Sequence, residues 1–306
     1  MNILFVYKSI FALIRCKLEN IKRVGLVYIA DNYQNFFSMT SRKQFQYFPF
    51  HLVDPSPWPL LGSFSLLLMA VAGVMSFHGF AHGGSLLLLG LFLTLSLMGL
   101  WFKDVITEGT YLGDHTTQVR RGLTIGFVLF VVSEIFAFLS VFWAFFHSSL
   151  SPDISLGNMW PPMGIIALDP FAIPLLNTII LLSSGAFLTW AHHGLIQGNR
   201  KAAIYGTILT VVLAAIFTGL QVFEYLEANF TMSDSVFGSA FFASTGLHGL
   251  HVIVGTIFIV VCLIRLINYH FTDSHHVGFE SAILYWHFVD VVWLFLFLCV
   301  YYWGGN

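Results

Sequence analysis

Residues 123–146 read LTIGFVLFVVSEIFAFLSVFWAFF, and this stretch decides the class of fold. Its 24 residues include a single ionisable side chain, that of Glu134. A helix needs about 20 apolar residues to cross the ~30 Å hydrocarbon core of a bilayer. The apolar residues are continuous and do not alternate as in the strands of a membrane barrel. The stretch therefore predicts a transmembrane helix.

Six further stretches of the same kind occur along the chain. They are predicted at 58–77, 85–102, 174–191, 202–223, 236–267 and 281–303. A short turn rich in glycine and histidine, 78–84, predicts that the first two form a helical hairpin. Hydrophobic residues make up 57% of the chain and charged residues 9%, whereas a soluble protein has about a quarter of its residues charged. The predicted fold is all-α, a polytopic membrane protein with seven transmembrane helices and almost no soluble part.

The positions of lysine and arginine support the count of seven independently. All 13 lie before the first helix, in or beside the second and fourth loops, or at the end of the sixth helix. The first, third and fifth loops and the C-terminus contain none. The positive-inside rule predicts this alternation only if the helix count is correct. It places the N-terminus on the basic side, cytosol or matrix, and the C-terminus on the opposite side.

The N-terminal residues need a separate interpretation. Residues 1–45 are predicted to be an extension outside the core. The sequence leaves open whether residues 1–38 are present in the mature chain. Their apolar patch before Arg15 is too short to span a membrane, and no cleavage site of a secretory signal is evident. A cleaved targeting peptide and a start at Met39 both remain open. Cys16, Cys262 and Cys299 show no paired spacing, so neither a disulfide framework nor a structural zinc site is predicted.

Two carboxyl groups lie at predicted membrane depth, where ionisable side chains indicate function by default. For Glu134, one interpretation is a proton relay or a contact to lipid or another subunit. The other is a carboxyl group hydrogen-bonded within the helix bundle. Asp290 follows His287 by three residues, so both face one side of a helix. This pair is either a proton site or, as we favour, a buried polar lock between helices.

The 13 histidines raise the question of a metal site. Most of them lie at helix borders, and no HExxH or Glu-x-x-His pattern occurs, so spacing alone predicts no metal ligation. Cations and tryptophan at the basic border, including Trp101, His115 and Arg265, suit anionic or zwitterionic lipid head groups. Ordinary topology-setting charge explains them equally well. No nucleic-acid partner is predicted.

Several segments together resemble subunit III of cytochrome c oxidase in its mitochondrial form. The match extends from about residue 46 to the C-terminus, and the motifs are specific as a set. They are FHLVDPSPWP (50–59), KDVI (103–106), SE (133–134), FWAFFHSSL (142–150), WPP (160–162), PLLN (174–177), TWAHH (189–193), GLHGLHV (246–252) and YWHFVDVVWLF (285–295).

The resemblance implies a two-helix unit, 46–122, and a five-helix unit, 123–306, separated by a V-shaped cleft filled with phospholipid. It implies an accessory subunit of a proton-translocating oxidoreductase, with no catalytic residue, haem or copper of its own. Haem a and copper belong to partner subunits I and II, and small accessory subunits are further partners. The implied role is to stabilise the catalytic subunits, bind phospholipids and sustain proton uptake.

The resemblance also implies a location and a set of site residues. The location is the mitochondrial inner membrane, with the N-terminus in the matrix and the C-terminus in the intermembrane space. Glu134 matches a membrane carboxyl group that faces the cleft. Five residues match positions near the lipid head groups: Trp101, Thr110, His115, Arg265 and His270.

Two departures from the family and three alternatives remain. Residues 1–38 have no recognised counterpart, so the resemblance implies nothing about them. A second tryptophan that often follows Trp101 is Phe102 here, so an indole N–H donor is lost. A redox subunit that binds metal through its own histidines is one alternative. A secondary transporter is another, although no inverted repeat is evident. A bacterial member of the same family differs only in location.

Overall fold

A computed structural model describes residues 49–154 and 157–305. Within these residues, seven helices are long and apolar enough to cross a membrane, which confirms the predicted fold class and helix count. They are α1 (Trp58–Phe77), α2 (Gly83–Thr107), α3 (Thr117–Leu150), α4 (Ile173–Ile196), α5 (Arg200–Glu227), α6 (Val236–Ile267) and α7 (Val277–Leu296). The predicted N-terminal extension, 1–45, lies outside the described residues.

The observed helices are mostly longer than the apolar stretches that predicted them. The bounds of α1 and α6 agree with the prediction, whereas α2 continues past Phe102 to Thr107 and then as a π-helical turn, Glu108–Leu112. A second π-helical segment, Phe297–Trp303, extends α7. Backbone hydrogen bonding does not stop where the apolar residues stop, so a helix continues into the head-group region beyond the hydrocarbon core.

Local sequence accounts for several helix starts. The Asn199 side chain accepts a hydrogen bond from the backbone N–H of Ala202 at 3.2 Å, where α5 begins. Ser235 caps α6 in the same way, with its Oγ 3.1 Å from the N–H of Phe237. These side chains satisfy N–H groups that have no partner inside the helix. In α4 a proline stands in the first turn, where its missing N–H costs nothing.

The chain divides into two compact units, with the division between Val119 and Arg120 in the first turn of α3. In the first unit, α1 and α2 pack against each other as a hairpin. A Cβ atom at Gly83 would lie 2.5 Å from the backbone nitrogen of Ser76, so the absence of a side chain allows the tight turn. Of the α1 side chains, those of Ser65 and Ala72 are buried. Most of the apolar surface of α1 therefore faces away from its own unit.

The second unit is built around α7. Trp286 and Trp293 are fully buried, and their indole N–H groups each donate a hydrogen bond to a hydroxyl group of α4. The acceptors are Ser184 and Thr178, both at 2.9 Å. The absence of a side chain at Gly206 allows α4 and α5 to approach closely. A Cβ atom there would lie only 2.8 Å from an α4 carbonyl oxygen. This packing positions the polar groups described next.

Candidate functional site

Glu134 and His251 form an ion pair or hydrogen bond at the middle of the membrane-spanning segments. Glu134 lies half-way along α3 and His251 half-way along α6. The Glu134 Oε2 and His251 Nε2 atoms are 2.9 Å apart, and the two side chains are 25% and 11% exposed. The His251 ring packs against Phe138, with the ring centres 4.9 Å apart. The bonded interpretation of Glu134 thus has a specific partner on another helix.

The two hydrogen bonds of the His251 ring restrict where its hydrogens lie. The His251 Nδ1 atom is 2.8 Å from the carbonyl oxygen of Leu247, and a carbonyl oxygen only accepts, so Nδ1 carries a hydrogen. The bond at Nε2 therefore needs one further proton. It lies either on the carboxyl group of Glu134 or on a fully protonated His251 ring. In both arrangements the pair is neutral overall, which lowers the cost of placing it in the membrane.

His287 and Asp290 link α7 to α4. The His287 Nδ1 atom is 3.4 Å from Asp290 Oδ2, and its Nε2 atom is 3.1 Å from the Thr189 hydroxyl oxygen. Asp290 is 5% exposed, whereas 42% of the His287 side chain is exposed. Gly185 of α4 provides the space for Asp290, because a Cβ atom there would overlap the carboxylate. Asp290 is thus a buried polar residue, while His287 is only partly covered.

The predicted head-group residues belong to both units. Trp101, Thr110 and His115 lie in the first unit, where Trp101 is 39% exposed and the other two are half-buried. At the same border, the indole N–H of Trp58 donates to Asp104 at 2.5 Å. This border thus combines aromatic rings, a carboxylate and a half-buried histidine, a combination suited to an interface with head groups.

Glu134, Arg265 and His270 lie in the second unit, but the structure does not bring them into one site. Arg265 is 14 residues beyond His251, or about 21 Å along α6 at the rise of an α-helix. The Arg265 guanidinium lies over the Phe271 ring, 4.2 Å from its centre. Burial lowers the pKa of His270, and the nearby charge of Arg265 lowers it further. His270 is therefore suited to a neutral hydrogen-bonding role at this border.

A family model described as cytochrome c oxidase subunit III matches residues 48–305. The chain belongs to this family. It is 61% identical over 270 residues to "Cytochrome c oxidase subunit 3" of Mycosarcoma maydis, covering 87% of this chain and 98% of the relative. The protein of the same name from Emericella nidulans is 59% identical over 264 residues, with 86% and 98% covered. That from Marchantia polymorpha is 59% identical over 258 residues, with 84% and 97% covered.

Membership of the cytochrome c oxidase subunit III family confirms the resemblance found in the motifs. It also decides against a secondary transporter.

Two of the motif histidines, His248 and His251, lie three residues apart on α6 but do not converge on a common point. His248 is buried and its Nε2 atom is 3.3 Å from the carbonyl oxygen of Val289, whereas His251 faces Glu134.

A buried polar cluster in this subunit III family member, formed by Gln221, Glu224 and Tyr301, was not predicted from the sequence. The sequence places Glu224 at the border that ends the fifth apolar stretch, but the side chain is 2% exposed. The Tyr301 hydroxyl donates to Glu224 Oε1 at 2.7 Å and accepts from the Gln221 amide at 3.3 Å. Gln221 and Glu224 are three residues apart on one helix face, which is the only signal the sequence contains.

Proposed function

We propose that this chain is an accessory, non-redox subunit of cytochrome c oxidase. In this role it supports electron transport from cytochrome c to oxygen and the coupled pumping of protons. Its partners are subunits I and II, which hold haem a and copper, and small accessory subunits. The family match over 48–305 and relatives named cytochrome c oxidase subunit 3 support this role.

Phospholipids are the proposed ligands, bound at the borders and in a cleft between a two-helix and a five-helix unit. The partly exposed indole of Trp101 and the half-buried Thr110 and His115 support head-group contact in the first unit. Arg265 and His270 support it in the second. The largely exposed apolar surface of α1 and α2 supports a lipid or protein neighbour for these two helices.

The proposed location is the mitochondrial inner membrane, with the N-terminus in the matrix and the C-terminus in the intermembrane space. The positions of the cations support this orientation. In the described residues they stand at the end of α2, the starts of α3 and α5, and the end of α6. In a chain with seven spans, all these positions meet one face of the membrane.

The Glu134–His251 pair carries the functional proposal. The pair lies half-way along α3 and α6, and exposed apolar residues that suit lipid, Ile135 and Phe136, follow Glu134 in the chain. Such a group explains how a subunit without a redox centre sustains proton uptake and prolongs turnover. A glutamine at position 134 keeps the shape and the contact to His251 but cannot release a proton.

The test compares Glu134→Gln with Ser133→Ala in the purified oxidase complex. Ser133 is the exposed neighbour of Glu134, and its hydroxyl bonds only its own helix backbone, at the Phe130 carbonyl oxygen 2.6 Å away. Haem content, bound phospholipid and the rate of inactivation during turnover are measured for both. We expect Glu134→Gln to keep its haem but to lose lipid or inactivate faster, and Ser133→Ala to match the wild type.

Equal lipid content and equal inactivation rates in all three complexes would show that the carboxyl group has no part in sustaining turnover. A loss of haem in Glu134→Gln alone would instead indicate that the pair is needed for assembly.

A further inference from the structure

Three metal-ligating side chains meet where α4 ends and α7 begins. His192 lies in the last turns of α4, His276 immediately precedes α7, and Glu280 lies in the first turn of α7. The His276 Nε2 atom is 3.3 Å from His192 Nε2 and 3.3 Å from Glu280 Oε1. All three ligand atoms lie within 4.8 Å of one another. They therefore lie close enough together to contact a single ion.

The His276 ring is held so that a lone pair faces this point. Its Nδ1 atom is 2.9 Å from the carbonyl oxygen of Thr272, which only accepts, so Nδ1 carries the hydrogen of the neutral ring. A backbone carbonyl bonded to the other ring nitrogen is one of the usual ways in which proteins orient a metal-binding histidine. The His192 ring is positioned by the Phe279 ring, with the centres 6.1 Å apart.

Without a cation, the Nε2 atom of His276 has at most one hydrogen of its own for its two neighbours, His192 and Glu280. In its neutral form, the lone pair of His276 Nε2 faces a carboxylate oxygen at 3.3 Å, so an acceptor faces an acceptor. A protonated His276 ring has one hydrogen at Nε2 for two partners, His192 and Glu280. A cation at the centre contacts all three groups at once, which removes the conflict.

We propose that His192, His276 and Glu280 bind a Zn²⁺ ion at the end of α4 and the start of α7. Zinc takes histidine nitrogen and carboxylate oxygen at about 2.0–2.2 Å in a tetrahedron. The edges of such a tetrahedron are about 3.3 Å long, which the separations of His276 from His192 and from Glu280 match. Calcium and magnesium require six or more oxygen ligands and do not fit this donor set.

The fourth position of the tetrahedron is open to water or a further ligand. Glu280 is 47% exposed, whereas His276 is 6% exposed, so the site is closed on the protein side and open on the other. The bound ion joins α4 to α7. Its ligands His192 and His276 are 84 residues apart in the chain. The spacing along the sequence therefore predicts no metal, and the folded chain creates the site.

A second group of potential ligands, His51, Glu108 and His115, fits a metal less well. The His51 Nδ1 atom is 3.9 Å from the nearest Glu108 oxygen, longer than the edge of a zinc tetrahedron. The proposal is therefore confined to the site between α4 and α7.

The test counts zinc in the purified whole oxidase complex. Wild type and variants are equilibrated with Zn²⁺ at buffered free concentrations and passed through a desalting column, and zinc per haem is measured by mass spectrometry. Glu280→Gln and His192→Asn each remove one ligand. His193→Asn is the matched control, because its ring is the exposed neighbour of His192, 6.2 Å away, and lies outside the cluster.

We expect both ligand variants to bind one zinc fewer per complex at concentrations that saturate the wild type. Their affinity at this site should fall at least ~10-fold, since even the loss of a group that only hydrogen-bonds a metal ligand costs 10–100-fold. His193→Asn should retain the full complement. A full complement in Glu280→Gln and His192→Asn with normal haem content would overturn the proposal.

A measurement on the wild-type complex covers the case in which the variants do not assemble. Anomalous diffraction at the zinc absorption edge should place a peak within bonding distance of the two imidazole nitrogens and the Glu280 oxygen. The absence of a peak between these three side chains in a zinc-soaked crystal would equally overturn the site.

Discussion

The Tyr301 hydroxyl holds the buried carboxyl group of Glu224, and its removal tests what that contact contributes to stability. In Tyr301→Phe, Glu224 loses the donor 2.7 Å from its Oε1 atom, and the Gln221 amide loses its acceptor at 3.3 Å. The three side chains are between 2% and 6% exposed, so water cannot replace the lost bonds without entering the helix bundle. The ring itself stays in place, so little packing is lost.

The expected cost follows from these two lost bonds. Leaving a buried polar group without a partner costs about 1–3 kcal/mol. Hydrogen bonds between membrane helices average about 0.6 kcal/mol and reach about 1.7 kcal/mol, because the unfolded chain in the membrane also finds partners. For two bonds, one of them to a carboxyl group, we expect a loss of about 2 kcal/mol. At about 2–4 °C per kcal/mol, the unfolding midpoint should fall by roughly 4–8 °C.

The assay is thermal unfolding of the purified complex. The release of this subunit is measured as the temperature rises. Tyr205→Phe is the matched control, because it removes the same hydroxyl from a tyrosine that is 61% exposed on α5. We expect no change in the control. If Tyr301→Phe unfolds within about 1 °C of Tyr205→Phe, the hydroxyl does not stabilise the buried acid, and the reasoning is wrong.

Two further perturbations test the packing of α4 and the border at the end of α6. Gly185→Ala places a methyl group against the Asp290 carboxylate and should destabilise the second unit by about 1–3 kcal/mol. Gly219→Ala is the control, because a Cβ atom there meets open space and should leave stability unchanged. The thermal unfolding midpoints of the two variants are compared. His270 has a pKa below its ordinary 6.5 because of burial and the charge of Arg265, so the unfolded chain binds more protons than the folded chain below pH 6.5. Stability should therefore fall as the pH drops below 6.5, and His270→Gln should show a shallower fall in stability measured against pH.

The helices and their order were predictable from sequence because a transmembrane span is a local property. A run of apolar residues such as 123–146 needs no partner in order to be helical in lipid, since every backbone group bonds within the run. The prediction failed mainly at helix ends. The turns after Phe102 contain charged residues that an apolar count excludes, yet the helix continues there.

The candidate site was predictable only in part. The carboxyl groups of Glu134 and Asp290 were identified as candidates because a charged residue within an apolar run can be recognised from the sequence alone. Their partners were not all found. The Asp290–His287 pair lies within one helix turn, whereas His251 is 117 residues from Glu134 and depends on α3 packing against α6.

The sequence by itself thus determined seven spans, the distribution of cations among the loops and, through its motifs, the subunit III family. The tertiary structure alone decided which polar groups meet. It paired Glu134 with His251, buried Glu224 under Tyr301 and assembled the cluster of His192, His276 and Glu280. The physical reason is that helix formation in lipid is satisfied residue by residue along the chain, whereas a contact between helices depends on which of their faces turn toward each other.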